Sequence, residues 1–213
     1  MTDAIPESPL PQTEDEINRR HNEKMAKKKA ARAKILATKT EERGLLIVHT
    51  GTGKGKSSAA FGMVLRSIGH GMRVGVVQFV KGVWETGERD ILENFPALVT
   101  LKAMGEGFTW ETQDRARDIA AARAAWAEAQ AMMADPSYRM VLLDELNIVL
   151  RYDYLPVAEV VAGLTARRPG LHVIVTGRNA PDDLIAAADL VTEMTLVKHP
   201  FREGVKAQAG IEF

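Results

Sequence analysis

The 213-residue chain has no cysteine, which excludes disulfides, thiolate metal centres and cysteine nucleophiles and agrees with a reducing compartment. It has no net charge either, 28 basic side chains balancing 28 acidic ones, so attraction to a polyanion can only be local. No apolar run approaches the roughly 20 residues that cross a bilayer, and the first residues lack the apolar segment of a secretory signal. A cytoplasmic protein that does not enter membranes is therefore expected. The five histidines, His21, His49, His70, His172 and His199, show no metal-ligand spacing. No constellation of serine, histidine and acid stands out, and no internal repeat is found. With 46% hydrophobic and 26% charged residues, the chain has the balance of a globular protein with one core.

The most informative stretch runs from residue 45 to 58. An apolar run of strand length, Leu45 to Val48, leads into a glycine-rich loop closed by Gly55-Lys56-Ser57-Ser58, and Ala59, Ala60, Met63, Val64 and Leu65 then begin a helical pattern. Glycines allow backbone N–H groups to turn inward as a nest for phosphate oxygens, and the helix N-terminus adds partial positive charge. A lysine at Lys56 reaches the outer phosphates and the Ser57 hydroxyl can hold Mg²⁺. The usual spacing puts four residues between the first glycine and the Gly-Lys pair, whereas only Thr52, Gly53 and Lys54 separate Gly51 from Gly55. A shorter nest with a second lysine should still hold a polyphosphate, in another register or direction. The competing reading is a glycine-rich turn without a ligand.

Residues 1–16 carry five acids, no bases and three prolines, the composition of a disordered tail. Residues 17–43 reverse the sign, with ten bases against three acids on a good helix-forming background. This basic N-terminal helix is a solvated helix, a nucleic-acid arm or a lid over an anionic ligand. From residue 44 to 213 strands and helices alternate. Strands are expected at 73–80, 98–104, 140–143, 172–176 and 190–197, and helices at 89–95, 112–134, 156–167 and 181–188. The pattern predicts an α/β domain with a mostly parallel sheet of about six strands flanked by helices, like a P-loop NTPase, its ligand beyond the carboxyl ends of the strands. Ile119, Ala122, Trp126, Ala129 and Met133 recur at helical spacing, so Trp126 is assigned to the core.

Several candidate pieces follow predicted strands and so share one sheet edge. Asp144-Glu145 ends an apolar strand, opposite the phosphate loop, as a Mg²⁺-binding pair does, or else caps the next helix. Lys81 to Glu88 forms a second loop. Gly105 to Gln113 carries Phe108 and Trp110 in a polar segment, either to meet a flat apolar ligand or to plug the sheet edge. Arg178, after the 172–176 strand, reaches a phosphate or forms a surface ion pair.

Together these residues resemble the P-loop ATP:corrinoid adenosyltransferases of vitamin B12 biosynthesis and salvage. The resemblance rests on Thr50 to Ser57, on Gly75-Val76-Val77-Gln78-Phe79 with Lys81-Gly82, on Gly107-Phe108-Thr109-Trp110-Glu111-Thr112-Gln113 and on Leu143-Asp144-Glu145-Leu146. Tyr152-Asp153-Tyr154-Leu155-Pro156, Thr176-Gly177-Arg178, Val197-Lys198-His199 and Gly204-Val205-Lys206-Ala207-Gln208 extend it to roughly residues 41–213. It implies ATP held in reverse by Gly51, Thr52, Gly53, Lys54, Gly55, Lys56, Ser57 and Ser58, with Ser57 and Glu145 on the magnesium side. It implies transfer of the 5′-deoxyadenosyl group of Mg-ATP to cob(I)alamin or a related cob(I)yrinic acid corrinoid, with release of triphosphate. Lys56 would stabilise the leaving group, and Phe108 and Trp110 would help remove the lower axial ligand of the corrinoid. It further implies a homodimer, an electron donor such as a reduced flavoprotein, and an N-terminal helix that folds over the site. The competing classes are a P-loop kinase or ATPase, which needs a base or positioned water, and a nucleic-acid-binding ATPase using the basic arm, for which the neutral net charge argues poorly.

Overall fold

The computed structural model describes residues 13–80, 87–104 and 114–212, which fall into two compact units, Met1–Glu42 and Arg43–Phe213. The first is one helix, α1 (Glu14–Ala37), with no buried residue. It starts before the basic stretch does. Thr13 accepts from the Glu16 backbone N–H while the Glu16 carboxylate accepts from that of Thr13, a capping box, and Glu14, Asp15 and Glu16 sit where the helix dipole favours negative charge. These three acids, grouped with the tail on composition, are the first turn of the helix. The last turn ends at Ala37, short of residue 43, where the Thr38 hydroxyl donates to the Ile35 carbonyl at 2.8 Å.

The second unit alternates strands and helices: β1 (Leu46–Thr50), α2 (Lys56–Gly69), β2 (Val74–Gln78), α3 (Gly87–Leu92), β3 (Val99–Ala103), α4 (Arg115–Ala134), β4 (Met140–Asp144), α5 (Leu146–Arg151), α6 (Val157–Thr165), β5 (His172–Thr176), α7 (Asp182–Ala187) and β6 (Leu190–Glu193). A short 3₁₀ turn, η1 (Pro200–Glu203), follows. The strands form one sheet in the order β3-β2-β4-β5-β1-β6, every pair parallel, which is the architecture expected from strands separated by helices.

Alternation along the strands builds a core on each face. Leu46, Val48, Val77, Leu143, Val173 and Val175 pack with Ala122, Ala125, Trp126, Ala129 and Met133 of α4, while Ile47, Val76, Leu142 and Ile174 pack with Ala60, Phe61, Val64 and Ile68 of α2. Trp126, 2% exposed, is a core residue as its spacing predicted.

Two elements depart from the sequence reading. The segment after Asp144-Glu145 is a short helix, α5, whose run Leu146-Asn147-Ile148-Val149-Leu150 is too apolar and too brief to show a helical period. The last strand stops at Glu193 rather than 197, because its partner β1 ends at Thr50 and turns away into the loop. At its other end, β6 is fastened by Asp189, whose carboxylate accepts from the Leu46 backbone N–H at 2.8 Å and pairs with Arg43 at 2.7 Å and Arg167 at 2.9 Å.

His172, at the start of β5, accepts from the Leu45 backbone N–H at 3.2 Å through Nδ1. Burial first, then the charges of Arg139 and Arg167, hold its pKa below 6.5. The unfolded chain therefore takes up a proton near pH 6.5 that the native ring refuses, so this contribution to stability is intact above that pH and is lost as pH falls below it. We expect thermal melts to show a midpoint falling from pH 7.5 to 5.5. His172→Gln, which keeps the acceptor but not the titration, should flatten that slope, by at most about 1.4 kcal/mol per pH unit. Identical slopes for the two proteins would exclude His172 as the source.

Candidate active site at the carboxyl edge of the sheet

The glycine loop joins β1 to α2 at the carboxyl edge. Gly51 and Gly55 have φ of +97° and +102°, a region that favours glycine. A Cβ on Gly51 would stand 2.4 Å from the Met194 carbonyl oxygen, and one on Gly53 2.6 Å from that of Thr195, so the backbone after β6 lies directly against the loop. Two hydrogen bonds hold it there: Gly53 N–H donates to Met194 O at 2.6 Å, and Met194 N–H to Thr50 O at 2.9 Å.

Lys56 opens α2 and is 7% exposed, its ammonium donating to the Gly53 carbonyl. Burial holds that ammonium below its ordinary pKa; the Glu145 carboxylate opposes the shift, while Arg178 and Lys54 add to it. Lys56 thus feels charge from three separate parts of the sequence, and a bound anion would restore what burial removes. Beneath it, His49 Nδ1 lies 3.2 Å from the Lys56 carbonyl oxygen; since a carbonyl only accepts, this nitrogen carries the proton.

Asp144 is the hub on the other side. Fully buried, it accepts from Ser57 Oγ at 2.8 Å and Thr176 Oγ1 at 2.7 Å through Oδ1, and from Gln78 Nε2 at 3.2 Å through Oδ2. Thr176 Oγ1 also accepts from the Glu145 N–H at 2.9 Å. Glu145 stands at the N-cap position of α5 with φ +63°, but its side chain makes no capping bond. The capping explanation of the acidic pair therefore fails for it, and its charge acts on Lys56 instead.

This arrangement suits a magnesium ion. By donating its proton to Asp144, the Ser57 hydroxyl keeps its lone pairs for a cation, and Glu145 adds a carboxylate on the same edge. Asp144, with both oxygens hydrogen-bonded and no exposure, would act on such an ion through Ser57. Among the described residues there is no cluster of three or more His, Cys, Asp or Glu poised for a metal, and Mg²⁺ bound with a polyphosphate needs only one or two protein carboxylates.

Thr52, Ser58 and Arg178 are exposed. Arg178 forms no ion pair with a described residue, yet its charge acts on Lys56, which places it with the loop. Lys54 pairs with Glu212. Phe108, Trp110 and residues 81–86 lie outside the described residues. The roles of Gln78 and Thr176 were not anticipated from sequence. Their signal was there: each is the polar residue that ends an apolar strand beside β4.

Residues 42–213 match the family described as ATP:corrinoid adenosyltransferase BtuR/CobO/CobP. A corrinoid adenosyltransferase of Sinorhizobium sp. is 61% identical over 196 residues, covering 91% of this chain and 92% of that protein. One of Pseudomonas aeruginosa is 56% identical over 198 residues, 93% of this chain and 98% of the other. The corrinoid adenosyltransferase of Salmonella typhimurium is 52% identical over 178 residues, 84% and 90% of the two chains. With a match spanning the glycine loop, the acidic pair and every strand of the sheet, the chain belongs to the ATP:corrinoid adenosyltransferase family.

Proposed function

We propose that this protein transfers the 5′-deoxyadenosyl group of Mg-ATP to cob(I)alamin or a related cob(I)yrinic acid corrinoid and releases triphosphate. The observation that carries this reading is the convergence of Lys56, Ser57, Glu145 and Arg178 around one glycine loop in a chain of this family. Cob(I) is the nucleophile: its electron pair forms the bond to C5′, and the C5′–O bond breaks with its electrons going to the triphosphate. No proton moves in that step, so the protein's task is to hold the partners in line and stabilise the leaving anion. Lys56, Arg178 and the loop N–H groups do this electrostatically, and Lys54 adds charge at the rim. Ser57 and Glu145 would hold Mg²⁺, which neutralises triphosphate charge, with Asp144 fixing Ser57.

The test is to incubate the protein with Mg-ATP and a chemically reduced corrinoid and identify the phosphate product. Triphosphate supports adenosyl transfer, whereas ADP or free phosphate points to a kinase or ATPase. In the same assay Lys56→Ala should lose about 10²–10³-fold in rate, as removal of one group stabilising a developing anion typically does. Glu145→Gln should raise the Mg²⁺ concentration needed, because an amide oxygen is the poorer ligand for a hard cation. Wild-type rates and metal titrations would remove these residues from the site.

The family resemblance gives the basic helix α1 the role of folding over the site once corrinoid binds, and its apolar Ile17, Ile35 and Leu36 are suited to an apolar face of that ligand. Deleting residues 1–40 should therefore leave a folded, ATP-binding core with weaker corrinoid affinity. Equal affinity would make the helix a solvated appendage.

Phe108 and Trp110 take the role of displacing the lower axial ligand of cob(II)alamin. Four-coordinate cob(II) accepts an electron more easily, because no donated density opposes filling the orbital along that axis. Rings on the lower face would exclude both ligand and water, each contributing on the order of 2 kcal/mol. Phe108→Ala and Trp110→Ala should fail with cob(II)alamin and a mild donor such as a reduced flavoprotein, yet retain much activity with cob(I)alamin made beforehand. Equal losses in the two regimes would assign the rings to binding or folding.

A further inference from the structure

Lys54 stands at the rim of the glycine loop with its side chain 56% exposed, and its ammonium donates to the Glu212 carboxylate, 158 positions further along the chain. The carboxylate arrives on a formed turn: Ile211 and Glu212 N–H both donate to Gln208 O, at 3.1 and 2.9 Å. The Glu212 side chain is 21% exposed, and its bond to Lys54 holds its pKa below the ordinary value, so it is ionised at neutral pH. This contact adds to those that Met194 and Thr195, just after β6, make with the loop. An ammonium here is a group that a polyphosphate lying on the loop would meet, and the carboxylate already occupies that charge-assisted contact.

We propose that Glu212 competes with the polyphosphate for Lys54, a built-in counter-anion that weakens polyphosphate binding and speeds the departure of triphosphate after transfer. The link to triphosphate release rests on the adenosyl-transfer reading; the competition requires only that the loop bind a polyphosphate. Exchanging Glu212 for a phosphate oxygen leaves Lys54 paired before and after, so the net gain from this lysine is small. Without the carboxylate the whole attraction goes to the ligand, and a like charge beside it disappears. Since exposed pairs are weak, the expected effect is about threefold to tenfold in affinity.

The experiment is a calorimetric titration of the full chain with inorganic tripolyphosphate and Mg²⁺ at low salt, comparing wild type, Glu212→Gln, Lys54→Met and the double variant. Glu212→Gln should bind about threefold to tenfold tighter, lose most of that advantage at high salt, and show almost none of it in the Lys54→Met background. If the wild type binds and Glu212→Gln binds equally or more weakly, Glu212 only positions Lys54 or fastens the turn, and the competition is overturned. If the wild type does not bind tripolyphosphate at all, the phosphate-loop reading fails and the competition with it.

Discussion

One buried carboxylate ties the site together. Asp144 has no exposed surface, and an ionised group in that position is tolerable only when hydrogen bonds replace the water it has lost. Donors come to it from three elements: Ser57 from the first turn of α2, Gln78 from the end of β2 and Thr176 from the end of β5. Satisfying one charge therefore fixes the relative positions of the glycine loop and three adjacent strand ends. Removing a donor from such a buried group typically costs about 1–3 kcal/mol, and more where the group is charged. The geometry of the edge is thus coupled to the stability of the core beneath it.

The parallel sheet makes this coupling possible. Because all six strands run the same way, every strand-to-helix connection on one side opens at the same edge, and residues as distant as Ser57 and Asp144 meet within hydrogen-bond reach. The sheet order then decides which ends are neighbours. Strand β4 lies between β2 and β5, which is why the strand-end residues Gln78 and Thr176 flank Asp144. Next to β5, β1 leads into the loop and Ser57, and β6 on the far side of β1 leads into Met194, whose backbone presses on the loop.

Much of this was legible in the sequence because strong local signals coincided. Buried parallel strands are continuous apolar runs, so β2, β4 and β5 showed themselves within a residue or two, and the glycines with Lys56-Ser57 marked the loop between strand and helix. What failed to show was either short or non-local. The six residues of α5 have no room for a period. The start of α1 was hidden because the acids that stabilise its first turn have the composition of a disordered tail. The end of β6 was set by where β1 turns away, a fact about another strand. The hub role of Asp144 needed the sheet order, which alternation alone does not specify, and the Lys54–Glu212 pair joins positions that share no motif.

The short loop has a consequence for how an anion is held. In a phosphate nest the backbone N–H groups are the main donors, and each works only if it points inward. Here the Gly53 N–H donates to the Met194 carbonyl and the Gly53 carbonyl accepts from Lys56, so this residue serves the loop's own shape. A loop with one residue fewer and one N–H committed elsewhere must draw more of its attraction from side chains. The chain supplies them: Lys54 and Lys56 on the loop, with Arg178 from the end of β5, all electrostatically coupled. Side-chain cations impose less direction on a polyphosphate than a ring of backbone dipoles does. A reversed nucleotide, with the ribose rather than the outer phosphate presented to a second substrate, is compatible with that weaker directional constraint.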